Sequence, residues 1–157
     1  MVAVVASPQK HTTMGTAHHF FVHLDRSAYD LGSWQKASGL KVSWQMCEYR
    51  SGDSNHVRQY PGNPSYERIR LSRVACPDSA VVRRWLASLS AEHDPISGVI
   101  QMLSSDLKPI IEWTLRDLFP VSWSIGEFDA GGPKAIVETL ELAHTGFLDD
   151  SVKYRRS

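Results

Sequence analysis

The chain has 157 residues, and its 17 Lys and Arg balance 17 Asp and Glu, so its formal net charge at pH 7 is zero. Hydrophobic residues make up 42% and charged residues 22%, ordinary proportions for a soluble globular protein. Balanced charge excludes a globally basic protein drawn to nucleic acid or to an anionic membrane.

The length fits one domain with one core. A domain of about 150 residues buries roughly 68–70% of its unfolded surface, so it requires neither disulfide nor metal. Near-zero charge leaves little repulsion between copies, which suits a protein that assembles with itself. Cys47 and Cys76 are the only cysteines, a usage that fits a reducing compartment and leaves open whether they pair. Met1 to Ala6 is mildly apolar, but it lacks a basic n-region and is too short for a signal peptide or a membrane span. The expectation is a chain without a signal peptide, in keeping with a reducing cytosol.

Residues 1–17 show no period and read as a flexible arm. Phe20, Val22 and Leu24 alternate with Phe21, His23 and Asp25, the period of two expected of a first strand. Asp30-Leu31-Gly32-Ser33 is a turn signal. After Ser38-Gly39, Leu40, Val42, Trp44 and Met46 alternate with Lys41, Ser43, Gln45 and Cys47, which predicts a half-buried strand running to about Arg50. A polar loop is expected to close at Pro61-Gly62, with the second strand of a long hairpin starting near Tyr66. That strand alternates Glu67, Ile69 and Leu71 with Arg68, Arg70 and Ser72.

Pro77-Asp78-Ser79 is a helix start, with Asp78 or Ser79 as N-cap. Val81, Val82, Trp85, Leu86 and Leu89 form one apolar stripe, which predicts a single helix packed on the sheet. Further strands are expected over Gly98 to Leu103, Pro109 to Arg116, Val121 to Ile125 and Ala135 to His144, with Pro120 as a break. Residues 149–157 read as a polar tail. About seven strands and one helix predict a mainly β class, a small two-sheet β-barrel or sandwich with one packed α-helix. Trp44, Trp85, Trp113 and Trp123 all fall on apolar stripes and read as core. Phe20-Phe21, Val99-Ile100, Met102-Leu103 and Ile110-Ile111 make several strands apolar on both faces, an excess that a helix or a neighbouring copy has to cover.

Chemistry is hard to find. His18, His19 and His23 have no cysteine or carboxylate at ligand spacing. Cys76 at a helix start is the less inert thiol, yet a small packed residue is the simpler reading. The glycine-bearing loop from Gly126 matches neither a dinucleotide fingerprint nor a P-loop. Glu138 and Glu141 fall on opposite strand faces. No catalytic residue, metal or cofactor is expected.

Segments in chain order resemble the tail-tube proteins of contractile phages and of phage-like extracellular contractile injection systems. They are Phe20 to Leu24, Trp34 through Ser38-Gly39-Leu40, Glu48 to Gly52 leading to Tyr60-Pro61-Gly62, Leu118 to Val121, and Phe128-Asp129-Ala130 with Ile136 to Gly146. The resemblance spans Phe20 to about Leu148, inside an expected tube domain of residues 18–148. It implies a fold shared with type VI secretion tube rings. It also implies homohexameric rings that join into a continuous barrel around a lumen and stack inside a contractile sheath. Implied partners are other copies of the chain, the sheath protein, the baseplate or spike hub, a tube terminator, and protein cargo or genome in the lumen. The chain is not expected to insert in a membrane by itself. Released particles, of phage or injection-system type, are part of the same expectation. Ser51, Val74-Ala75-Cys76, Leu118-Phe119 and the long arm before Phe20 depart from the family pattern, which keeps a baseplate-proximal starter ring as an alternative. A monomeric β-barrel that binds a small apolar ligand is the alternative from another class.

Within this resemblance the hairpin tip is the expected ring-to-ring contact: Arg50, Ser51, Gly52, Asp53, Ser54, Asn55, His56, Val57 and Arg58, extending to Tyr60. Ser43, Gln45, Arg68 and Arg70 are the expected lumen lining.

Overall fold

The computed structural model describes residues 19–25, 29–53, 55–91, 94–127, 129–132 and 134–148. The expected arm 1–17, the tail 149–157, and His18, Ser54 and Phe128 lie outside these residues. Among the described residues nine strands and one helix follow in order. The strands are β1 (His19–Leu24), β2 (Gly32–Trp34), β3 (Lys36–Ser38), β4 (Val42–Arg50), β5 (Val57–Tyr66) and β6 (Ile69–Val74), then α1 (Ser79–Ala91) and β7 (Ile96–Leu103), β8 (Pro109–Ile125) and β9 (Val137–Ala143). The class is mainly β with one helix, as the alternation predicts.

Seven strands form one antiparallel sheet in the order β2-β1-β7-β8-β9-β6-β3. Its hinge is β8, whose first part pairs with β7 and whose last part pairs with β9. The strand turns near Asp117, which takes a left-handed φ of 49°. The expected break at Pro120 is corrected here. Pro120 stays in the strand opposite Leu142, and an irregularity in the register between Pro120 and Ser122 absorbs the misfit. The two edge strands, β2 and β3, are separated by Gln35 alone, whose N–H bonds the Ser72 carbonyl at 3.1 Å. The sheet therefore folds over itself without closing as a barrel.

Between the two halves lie Val22, Leu24, Leu31, Trp34, Ile69, Leu71, Ile100, Leu115, Leu118, Leu140 and Leu142, all buried. Helix α1 adds Val82 and Trp85 to this core, while Leu86 and Leu89 pack at its margin. The Asp78 carbonyl accepts from Val82 N–H, so Asp78 occupies the N-cap position. The expected turn at Asp30 to Ser33 is instead the start of β2. Gly32 takes a φ of +76°, and a Cβ there would lie 2.7 Å from an Asp78 carboxylate oxygen.

Arg73 and Glu138 face inward from β6 and β9, side by side in register. Arg73 Nε donates to Glu138 Oε2 at 2.7 Å, and its Nη1 reaches the carbonyls of Leu31 and Ser33. The guanidinium lies 4.0 Å over the Trp34 ring. Ser79, the first residue of α1, donates its hydroxyl to Glu138 Oε2, and Trp123 Nε1–H donates to Glu138 Oε1. Burial pushes the Glu138 carboxyl up, but the bonds from Arg73, Ser79 and Trp123 outweigh it and hold the group below its ordinary value. Its contribution is therefore complete above the unfolded carboxylate range and is lost as pH falls through the lowered folded value.

Removing one partner of a buried pair leaves an uncompensated charge. Glu138→Ala should lower unfolding stability by about 3–5 kcal/mol, read from the urea midpoint. The double change Arg73→Met with Glu138→Leu should cost clearly less than Glu138→Ala alone.

Candidate functional site

Strands β4 and β5 stand apart from the rest. They pair with each other from Val42↔Tyr66 to Arg50↔Val57 and with no strand of the seven-stranded sheet. This corrects the expected hairpin. Its second strand is Val57–Tyr66, not the segment beginning near Tyr66, and the tip narrows to residues 51–56. Pro61-Gly62 lies inside β5 at a bulge opposite Gln45. A Cβ on Gly62 would lie 2.8 Å from the Gln45 carbonyl, so glycine permits the close approach. Pro61 and Pro64 are tolerated because β5 is an edge strand.

Both faces of the hairpin meet solvent. Trp44 is 45% exposed, Met46 54%, Tyr49 59% and Tyr60 53%, so Trp44 is not the core residue its alternation predicts. An isolated two-stranded hairpin is at best marginally stable in water, and this one carries large apolar side chains without cover. Of the expected ring-contact residues, Gly52 and Asp53 form the turn, Ser51, Asn55 and His56 flank it, and Arg50, Val57 and Arg58 lie in the strands. All of these are exposed.

The hairpin root is well anchored. Gly39 takes a φ of +88°, and a Cβ there would stand 1.9 Å from the Arg68 carbonyl, so glycine is required where the chain leaves β3. Leu40 packs against the core. Lys41 pairs with Glu67 across the root at 2.7 Å. Tyr66, His144 and Phe147 form an edge-to-face cluster beside it. His144 Nε2 lies 2.9 Å from the Glu67 carbonyl and donates its proton there. Burial pushes the His144 pKa down; the backbone contacts of Glu67 and Gly146 oppose this, and the Arg116 charge adds to the lowering.

The expected lumen residues divide between two surfaces. Ser43 and Gln45 are exposed on β4. Arg68 precedes β6, and Arg70 points outward from it. The outer face of β3, β6, β9 and the last part of β8 is polar at its centre, with Val74, Val137 and Phe119 exposed toward its ends. Ser38 faces Arg70, Arg70 faces Glu141, and Ser122 faces Glu141. Arg68 and Arg70 both reach Glu141, at 3.5 and 3.4 Å.

The remaining chemical candidates stay apart. His23 pairs with Asp30 at 2.6 Å, and His19 is exposed. Among the described residues no group of His, Cys, Asp and Glu has metal-site geometry. Cys47 and Cys76 are both free. A groove of about 470 Å³ lies between α1 and β8, lined by Leu86, Leu89, Phe119 and Trp123 among others. It opens at the surface, whereas the side chains between the sheet halves form the buried core.

Residues 16–148 match a family model described as T4-like virus tail tube protein gp19. The chain belongs to this family. No curated protein matches it. Components of solved contractile injection systems share the fold. The chain is similar to a component of the PVC sheath-tube complex, an extracellular contractile injection system in its extended state. The TM-score is 0.71 at 20% identity, covering 92% of this chain and 97% of that one. A component of the anti-feeding prophage baseplate gives a TM-score of 0.63 at 22% identity, covering 94% and 96%. A type six secretion system protein gives 0.52 at 14% identity, covering 82% and 80%. In this tail tube protein no described helix is long and apolar enough to cross a membrane.

Two outcomes follow from the hairpin and its root. Trp44→Ser with Met46→Ser should change protomer stability by no more than about 0.5 kcal/mol, because both side chains are exposed, yet should abolish self-assembly in sedimentation velocity. The neutral form of His144 is favoured in the fold, so stability should decline as pH falls below the ordinary histidine value of about 6.5. His144→Gln should flatten that part of the pH profile in thermal melts.

Proposed function

We propose that this tail tube protein is a non-enzymatic structural subunit of an inner tube. Homohexameric rings stack into a rigid conduit, and sheath contraction drives the conduit into a target. The single observation that carries the proposal is the β4–β5 hairpin, which is built and anchored but has exposed apolar side chains on both faces. A neighbouring copy supplies the cover that the protomer lacks, with the tip from Arg50 to Arg58 reaching the adjacent ring.

The polar outer face around Arg70 and Glu141 lines the lumen in this reading. It has the character required at its centre, where Ser38, Arg70, Glu141 and Ser122 run across four strands, with the opposite face committed to the core. Ser43 and Gln45 join the lining where the hairpin lies across the next protomer. Sheath, baseplate hub and tube terminator are the partners, and protein or genome passes through the lumen. Assembly takes place in the bacterial cytoplasm, before release of the particle.

Electron microscopy of the purified protein tests this directly. Six-fold rings or stacked tubes are expected at high protein concentration. A monomer under all conditions, or one whose melting temperature rises on adding lipid, would instead favour a small-ligand binder.

A further inference from the structure

The chain is neutral overall, with as many cations as carboxylates. Its outer sheet face is not. Lys36 lies on β3 opposite Ser72, and Arg70 lies on β6 opposite Ser38, so the two cations are diagonal neighbours on one surface. Arg68 joins them from the segment just before β6. Glu141 is the carboxylate among the outward positions of β3, β6 and β9. It sits opposite Arg70 and receives Nη contacts from both arginines at 3.5 and 3.4 Å, close to the outer limit of a hydrogen bond. The arginine side chains remain 63% and 64% exposed, while Glu141 is 19% exposed. One largely covered carboxylate is thus shared between two open guanidinium groups, each with five donors.

We infer that this face binds acidic polypeptide, and that the conduit selects cargo with a run of Asp and Glu. The inference rests on the reading that the face lines the lumen. Guanidinium forks match carboxylates bidentately. Ser38, Ser72 and Thr139 offer hydroxyls between the charges, suited to a hydrated, sliding chain. Nucleic acid fits less well. The aromatic residue at an outward position of this face is Phe119 at one end of the β8–β9 pairing, so the charged centre around Arg70 offers no row of rings for stacking bases. Repetition of the excess around a ring would concentrate the positive potential in a cleft with low-dielectric walls.

The test uses assembled tubes, checked by electron microscopy, sedimented with fluorescein-labelled poly-L-glutamate, poly-L-lysine or oligo-dT. Poly-L-glutamate should co-sediment at low salt and be released as salt rises. Tubes of the Arg68→Gln, Arg70→Gln variant should hold it about tenfold less. Tubes of Arg83→Gln, Arg84→Gln, changed on the exposed face of α1, should hold it as the wild type does. Equal retention by the first variant, loss in the second, or equal retention of poly-L-lysine would overturn the inference. Preferential retention of oligo-dT would overturn the polypeptide assignment. Tubes that form but retain nothing would sink this inference alone, whereas absence of rings would sink the tube reading with it.

Discussion

Arg73 and Glu138 sit where β2, β6, β8, β9 and the start of α1 converge, and their pairing fixes how those elements meet. The guanidinium holds the carbonyls of Leu31, just before β2, and of Ser33 within it, and covers Trp34. The carboxylate receives the first hydroxyl of the helix and the indole of the far strand. A buried ion pair is not in itself a large source of stability, because desolvation offsets much of its attraction. Its value here is directional. An apolar contact at this place would tolerate sliding of the helix or of β2, whereas five hydrogen bonds with fixed partners do not. The folded sheet depends on that fixity, because β2 and β3 are its two edges and only Gln35 separates them.

With the body held in this way, the hairpin becomes a rigidly rooted projection. Gly39 lets the chain turn close against the Arg68 backbone, and the Lys41–Glu67 pair and the Tyr66–His144–Phe147 cluster clamp its base. Beyond the root nothing in the seven-stranded sheet pairs with it. Exposed sheet edges and apolar strands are liabilities in a solitary protein. In the proposed ring they would become the joint, with the body completed within one chain and the hairpin by another.

Period-two alternation made the class and most strands legible. Val22 and Leu24, Ile69 and Leu71, and Leu140 and Leu142 all face the core as their spacing predicts. The helix was equally readable, since its stripe and its Pro-Asp-Ser start are local signals. Trp44 was misplaced because alternation reports that one face differs from the other, not what covers it. The hairpin boundary was misplaced for a related reason. Pro61-Gly62 is ordinary turn chemistry, but a bulge also accommodates it when the strand is an edge. The Arg73–Glu138 pair was not readable at all. It joins residues 65 positions apart, and in sequence Arg73 looks like one more surface cation beside Arg68 and Arg70. A charged residue that would point to the apolar side of a strand, between Leu71 and Val74, was the available signal.

The central claim is that the hairpin is incomplete in one protomer and completed by another copy. Hydrogen exchange of the backbone amides from Val42 to Tyr66, compared between dissociated protomer and assembled material, tests it most directly. These amides should exchange far faster than those of β6 and β9 in the protomer, and should become protected on assembly. Protection equal to that of β6 and β9 in the dissociated protomer, unchanged on assembly, would contradict the account.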